Sequence, residues 1–158
     1  MILCLDPGTK AAGIALFEDS GILHSAWLAQ GTAWHETADA VLESMHTAKV
    51  NAAGVREVVL EKMQVYQDMP IPPAVLITLS LMAGRVTGRF AQWAGKPVEY
   101  EPKKWKKQVP KPIKIKRIQA QLTPEETARV RLTGKKKLDH NIFDAVGIGL
   151  YHLRAKRR

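Results

Sequence analysis

The chain has 158 residues, a length typical of one domain that buries its core without disulfides or a structural metal. Its one cysteine, Cys4, excludes a disulfide framework and a zinc site built from cysteines. The net charge of +9 is unevenly distributed, because residues 1–84 carry 4 Lys or Arg against 9 Asp or Glu, whereas residues 85–158 carry 20 against 6. This asymmetry indicates a polyanionic partner for the second half of the chain.

The chain lacks an uninterrupted apolar run of the roughly 18 to 20 residues that a membrane span needs. Met1 also leads directly into an apolar segment, with no basic and cleavable leader before it. We therefore expect a single domain over residues 1–158 that is soluble, intracellular and not bound to a membrane.

The apolar spacing predicts five strands separated by turns and helices. The predicted strands cover residues 1–6, 12–17, 22–29, 57–61 and 97–100. The predicted helices cover residues 34–50, 74–93, 102–108 and 114–121, with a capped helix starting near 123 and a final helix from 139. The first three strands indicate an antiparallel meander, and the whole order predicts a mixed α/β domain.

The helix predicted over residues 74–93 is apolar around most of its first half. This is typical of a helix that is buried on more than one side, and we expect it to form a subunit interface. The predicted interface residues are Val75, Leu79, Met82 and Val86.

Three acidic residues stand at the ends of predicted elements. Asp6 ends the first strand before a Pro-Gly turn, Glu61 ends the fourth strand, and Asp144 lies near the start of the last helix. An Asp before Pro-Gly is also a common turn starter, but three such acids suggest a site assembled by folding. Converging carboxylates repel one another unless a divalent cation neutralises them, and hard oxygen ligands select Mg²⁺ or Mn²⁺.

Residues 103–117 form the densest basic segment, with eight cations and no acid. Charge runs are commonly solvated surfaces, but Pro110 and Pro112 stiffen this one and Trp105 anchors it, which favours nucleic acid as a partner. The predicted DNA-binding residues of the segment are Lys103, Lys104, Lys106, Lys107, Lys111, Lys114, Lys116 and Arg117. Carboxylates beside such a surface are suited to metal-dependent cutting of a phosphodiester, in which two ions act on either side of the phosphorus.

Taken in order, the segments resemble the RuvC-type Holliday junction resolvases of the RNase H-like superfamily almost from end to end. The segments that carry the resemblance are Ile2-Leu-Cys-Leu-Asp-Pro-Gly-Thr, Val58-Val-Leu-Glu, Pro97-Val-Glu-Tyr-Glu-Pro-Lys-Lys-Trp-Lys-Lys and Asp144-Ala-Val-Gly-Ile-Gly-Leu-Tyr-His. The resemblance implies an RNase H-like fold and a homodimeric, metal-dependent endonuclease that resolves four-way DNA junctions by paired symmetric nicks. It also implies a location in the cytoplasm of a bacterial cell or of a phage-infected host, in association with DNA.

The resemblance assigns three metal ligands and leaves a fourth site residue open. The residues that match the family's ligands are Asp6, Glu61 and Asp144. The family places an acid or a His three residues before the last Asp, where this chain has Asn141. We favour His140 as the fourth catalytic residue, since a spacing of four keeps it beside Asp144 on a helix. Asp139 is the alternative metal ligand or the helix N-cap, and a helix that began after residue 140 would reverse this order.

The resemblance also bears on DNA contacts. Lysines after the fifth strand contact the backbone near the cut in the family, and the nearest matches are Lys106, Lys107 and Lys114. Bacterial members carry a Phe three residues after the Glu, where this chain has Gln64. Tyr66 could replace that Phe by stacking on a base.

Two other functions are compatible with the same residues. One is an RNase H-like nuclease that acts on other branched DNA or on RNA, although Glu61 at a strand end favours the resolvase. The other is a catalytically silent junction-binding domain, which Asn141 suggests and the three retained acids oppose.

Overall fold

A mixed five-stranded sheet organises the part of the chain that the computed structural model describes, residues 1–63, 72–106 and 109–157. The strands are β1 (Ile2–Asp6), β2 (Ala11–Phe17), β3 (Leu23–Gln30), β4 (Glu57–Glu61) and β5 (Val98–Tyr100). The helices are α1 (Trp34–Thr47), α2 (Pro73–Ala94), α3 (Pro102–Lys106), α4 (Lys111–Gln119), α5 (Pro124–Ala128) and α6 (Lys136–Lys156), with a 3₁₀ turn at Ala52–Gly54. The predicted α/β fold class is confirmed.

The strand order β3-β2-β1-β4-β5 brings the ends of β1 and β4 together. The first three strands pair antiparallel, whereas β4 pairs parallel with both β1 and β5. Leu5 lies opposite Leu60 in the parallel register. The residues that follow them, Asp6 and Glu61, therefore emerge at the same end of the sheet.

Helices cover both faces of the sheet and create two cores. Because side chains alternate along a strand, Leu3 and Leu5 of β1 belong to the core beneath α1 and α2. Ile2 and Cys4 belong to the other core, beneath α6. The N-terminal half of α6 is thereby fixed over the strand ends that carry the two acids.

Gly13 on β2 allows α6 to approach the sheet closely. A Cβ atom at this position would lie 1.9 Å from the carbonyl oxygen of Asn141 and 2.9 Å from the backbone nitrogen of Ile142. Neither backbone atom can move without moving the helix, so only glycine permits this contact. The packing places the first turns of α6 directly above β2.

The structure corrects half of the predicted subunit interface. Met82 and Val86 are fully buried in the core between α2 and the sheet, so they are not available to a second subunit. Val75 remains exposed and Leu79 is half-buried. The prediction was wrong for Met82 and Val86 because a helix with apolar residues on most sides does not indicate which side faces its own sheet.

By length and composition alone, α2 could cross a membrane. In the structure its C-terminal half packs on the sheet, and Arg85 binds Asp39 of α1 with 2.6 Å between Nη2 and Oδ1. Both features are those of a helix within this domain.

The final helix begins at Lys136, three residues earlier than predicted. Its N-cap is Lys135, whose side chain makes no capping bond. The suggestion that Asp139 serves as the N-cap is therefore wrong, because Asp139 already lies in the first helical turn. Tyr66, the predicted stacking residue, lies outside the described residues.

Candidate active site

Three carboxylates from separate elements meet at one end of the sheet. Asp6 ends β1, Glu61 ends β4, and Asp144 projects from α6 with only 3% of its surface exposed. Burial raises the pKa of Asp6 well above its usual range, and repulsion by Asp144 and Glu61 adds to the rise although Lys106 and Lys114 oppose it. The three carboxylates therefore repel one another when ionised, and nearby cations reduce this repulsion.

Two lysines supply positive charge to this cluster. The Nζ of Lys106 lies 2.6 Å from Oε2 of Glu61 and 3.2 Å from Oδ2 of Asp144, and the Nζ of Lys114 lies 2.5 Å from Oδ1 of Asp144. Burial alone would lower the pKa of Lys106, but attraction to Asp6, Asp144 and Glu61 outweighs it and raises that pKa. Lys106 therefore stays charged throughout the physiological pH range.

Trp105 and Gly147 position these lysines. The Nζ atoms of Lys106 and Lys114 lie 4.9 and 5.6 Å from the centre of the Trp105 ring, within the range of cation–π attraction. A Cβ atom on Gly147 would lie 2.9 Å from Cζ3 of Trp105 and 2.8 Å from Cδ1 of Ile118. Glycine at this position of α6 lets α3 and α4 close onto the helix and direct both lysines towards Asp144.

The other predicted DNA-binding residues are differently placed. Those that the structure leaves on the surface are Lys103, Lys104, Lys111, Lys116 and Arg117. Lys107 and Tyr66 lie outside the described residues. The basic segment therefore divides into exposed cations and the two that contact the carboxylates.

His140 lies close enough to Asp144 for the charges of the two side chains to interact. It is half-buried, and burial together with the charges of Lys111 and Lys114 lowers its pKa, against an opposing attraction from Asp144. At pH 7 its ring is therefore neutral and can accept a proton or a hydrogen bond. Position 140 thus combines proximity to Asp144 with suitable chemistry.

The other two candidates for the fourth site residue, Asp139 and Asn141, form hydrogen bonds with residues outside the carboxylate cluster. Oδ1 of Asp139 accepts hydrogen bonds from the backbone N–H and the hydroxyl of Thr133, at 2.8 and 2.6 Å. Nδ2 of Asn141 donates to the carbonyl oxygen of Ala11 at 3.4 Å. Asp139 holds the loop before α6, and Asn141 faces the start of β2.

The donor chemistry of the cluster fits a divalent cation. Oε2 of Glu61 and Oδ1 of Asp144 are buried, and the groups that contact them among the described residues are the ammonium groups of Lys106 and Lys114. Carboxylate oxygens are also the ligands that Mg²⁺ and Mn²⁺ prefer. Within residues 1–63, 72–106 and 109–157, no three acidic, His or Cys side chains stand close enough in this conformation to hold an ion. A cation would have to take the place of the ammonium groups.

The sequence predicts DNA contacts for Lys106 and Lys114 and does not predict their pairing with the carboxylates. Their spacing along the chain resembles that of the exposed lysines around them. Lys106 and Lys114 differ from the other lysines because α3 and α4 pack against Gly147 of α6. No local sequence pattern predicts this packing.

The order of the sheet and the helices on both of its faces are those of an RNase H-like α/β fold. No protein-family model matches the chain, and no curated protein matches it by sequence. Thermus thermophilus RuvC is similar over 99% of this chain and 95% of its own, at 18% identity and a TM-score of 0.61. The fowlpox virus resolvase, solved with its substrate Holliday junction DNA, is similar over 98% of this chain and 99% of its own, at 19% identity and a TM-score of 0.65. The yeast mitochondrial Holliday junction resolvase Ydc2 is similar over 99% of this chain and 80% of its own, at 12% identity and a TM-score of 0.52.

The chain therefore has the fold of the RuvC-type resolvases, and the resemblance noted in the sequence is confirmed at the level of the fold.

Proposed function

We propose that the protein is a metal-dependent endonuclease that resolves four-way DNA junctions by paired symmetric nicks. The observation that carries the proposal is the meeting of Asp6, Glu61 and Asp144 at one end of the sheet, next to a segment with eight cations. Branched DNA as the substrate is supported by proteins of the same fold, among them the fowlpox resolvase solved with junction DNA.

Asp6, Glu61 and Asp144 are the residues that would hold Mg²⁺ or Mn²⁺, two ions per site. When bound, the ions would activate a water for attack on phosphorus and stabilise the departing 3′ oxygen. His140, neutral at pH 7 because its pKa is lowered, would orient that water and accept its proton.

The basic residues would contact DNA in two ways. Lys106 and Lys114 lie against the carboxylates and would neutralise the phosphate that is cut. Exposed cations of α3 and α4 would bind the flanking backbone, and each phosphate they neutralise makes binding more sensitive to salt. Lys107 and Tyr66 remain predicted contacts of the same surface.

The outer face of α2 supports a homodimer. Val75, Ile77 and Leu81 are 38%, 59% and 48% exposed and lie along the first half of the helix. A second copy that covered this face would bury it and place two active sites in a symmetric arrangement, as paired nicks require. We propose that such a dimer works on DNA in the cytoplasm.

One observation favours a second candidate, a domain that binds junctions without cutting them. The carboxylates are already paired with Lys106 and Lys114, and Asn141 replaces an expected acid or His. A protein of this kind would retain affinity for junctions and gain nothing from a divalent cation.

The test is a cleavage assay on an end-labelled four-way junction, a linear duplex, a flap and an RNA/DNA hybrid, each in Mg²⁺ and in Mn²⁺. Asp6→Asn should abolish cutting and leave junction binding unchanged or tighter, whereas the matched control Asp19→Asn, in the turn between β2 and β3, should cut normally. Symmetric nicks confined to the junction are the expected result. Tight binding without cutting in either metal would establish the silent domain, and cutting of the flap or hybrid alone would indicate an RNase H-like nuclease for other substrates.

A further inference from the structure

A cleft of about 560 Å³ lies between α3, α4 and α6, next to the carboxylate cluster. Its volume is in the range of pockets that enclose small organic ligands, roughly 300–1,000 Å³. The described residues that line it include no acid and five cations, which are Lys104, Lys106, Lys114, Arg117 and Arg154. The cleft is therefore a strongly positive cavity, and two of its cations also reach the active site.

Three of the five cations are free to bind an added anion. Within the part of the chain that the structure describes, no carboxylate pairs with Lys104, Arg117 or Arg154. All three residues are exposed, whereas Lys106 and Lys114 are held by the site carboxylates. Their unpaired charge is the kind that binds phosphate oxygens.

The rest of the lining suits a nucleobase more than a bare phosphate. Ile118, Leu150 and Gly147 contribute apolar lining, and Trp105 and Tyr151 contribute aromatic rings. A phosphate ion would leave these surfaces uncovered, whereas a planar base covers apolar atoms and stacks on aromatic rings.

The position of Tyr151 also suits such a ligand. The ring of Tyr151 is half-buried and packs edge-on against Tyr100, with 4.9 Å between ring centres and an angle of 85°. The position of Tyr151 is therefore fixed before a ligand arrives.

Two lysines connect the cleft with the carboxylate cluster. The side chains of Lys106 and Lys114 line it, while their ammonium groups contact Glu61 and Asp144. A DNA strand whose phosphate lies at the carboxylates would thus have a neighbouring nucleotide within reach of the cleft.

We propose that this cleft binds one unstacked nucleotide of the DNA strand, adjacent to the phosphate that is cut. The base packs against the apolar residues of the lining and the rings of Trp105 and Tyr151, and its phosphate binds Arg117 and Arg154. The inference rests on the proposed nuclease function. It adds Tyr151 and Arg154 of α6 to the DNA-binding surface and gives the enzyme a reason to favour junctions, where bases unstack more readily than in a continuous duplex.

The test uses four-way junctions that carry a single 2-aminopurine, placed in turn at each position around the branch point. The fluorescence of this base rises when it leaves the stack. Full-length protein in EDTA should raise the signal at one position on each of two symmetric strands. Tyr151→Leu should remove that rise and weaken junction binding about fivefold or more, the low end of the effect of losing base–aromatic stacking. Tyr151→Phe, which keeps the ring, should retain both.

Arg154→Ala, an exposed change that leaves the core intact, should also reduce the rise. The matched control is Arg56→Ala, at the opposite end of β4, which should behave as wild type. If the wild type cuts junctions but shows no rise, or if Tyr151→Leu and Arg154→Ala retain it, the cleft does not hold a base and the nuclease function stands. A wild type that neither binds nor cuts junctions would refute the function and this inference together.

Discussion

The ion pair between Lys114 and Asp144 should be the strongest single polar interaction in the metal-free protein. The side chains are 10% and 4% exposed, and the Nζ to Oδ1 distance is 2.5 Å. Asp144→Asn leaves the buried ammonium of Lys114 without its carboxylate. Removal of one partner of a buried pair costs about 3–5 kcal/mol. We expect a value near the lower end, because Lys106 keeps its contact with Glu61.

The double variant distinguishes this charge effect from a packing effect. Lys114→Met alone also destabilises, but less, because Asp144 keeps Lys106 at 3.2 Å. Once Asp144→Asn is present, the same Lys114→Met change removes a stranded charge and should restore stability. The coupling free energy between the two positions is expected to be about 2–3 kcal/mol.

Urea unfolding in EDTA at pH 7 measures the four free energies of unfolding. For a chain of this length a loss of 3 kcal/mol corresponds to a decrease of about 6–12 °C in Tm, so thermal unfolding provides a second measurement. Additive losses, with a coupling below about 0.5 kcal/mol, would refute the buried pair, because independent sites add to within that margin.

Three further predictions follow from the same structure. Burial and repulsion raise the pKa of Asp6 in the folded state, so metal-free wild type should lose stability as pH rises from the ordinary carboxyl range through that pKa. Asp6→Asn should lack this loss. In EDTA its Tm should therefore exceed that of the wild type by an amount that grows with pH and is absent below the ordinary carboxyl range. Gly13→Ala should cost at least about 2 kcal/mol in free energy of unfolding, since its methyl group would overlap the backbone of α6, whereas Gly54→Ala, with open space around it, should be neutral in the same urea titration. Ile77→Glu should convert the proposed dimer to monomer in sedimentation and make Tm independent of protein concentration, and an unchanged sedimentation coefficient would exclude this face of α2 as the interface.

The sheet and the three acids could be predicted because each depends on local signals. Alternating apolar residues indicate strands, and Asp6 and Glu61 fall at strand ends in the sequence itself. The parallel pairing of β1 with β4 then places both acids at one end of the sheet. Asp144 could be predicted to join them because the apolar residues of α6 face the sheet, and this orientation of the helix directs Asp144 towards the same end.

The remaining features depend on tertiary packing that has no local signal. The start of α6 was misplaced because Lys135 and Lys136 are not typical capping residues, whereas Asp139 is. Met82 and Val86 were assigned to an interface because apolar residues surround most of α2, and only the sheet determines which face is buried. The contacts of Lys106 and Lys114 require α3 and α4 to be docked on α6, which a charge pattern does not reveal.

The most direct test of the central claim uses a supercoiled plasmid that extrudes a cruciform. Two coordinated nicks within one binding event linearise the plasmid, whereas independent nicks leave an open circle. The wild-type protein in Mg²⁺ should yield linear plasmid as the first product, and Asp6→Asn should yield none. Open circles that accumulate ahead of linear product would contradict paired cutting by a dimer, and plasmid that stays supercoiled in both Mg²⁺ and Mn²⁺ would contradict a catalytic role for the carboxylates.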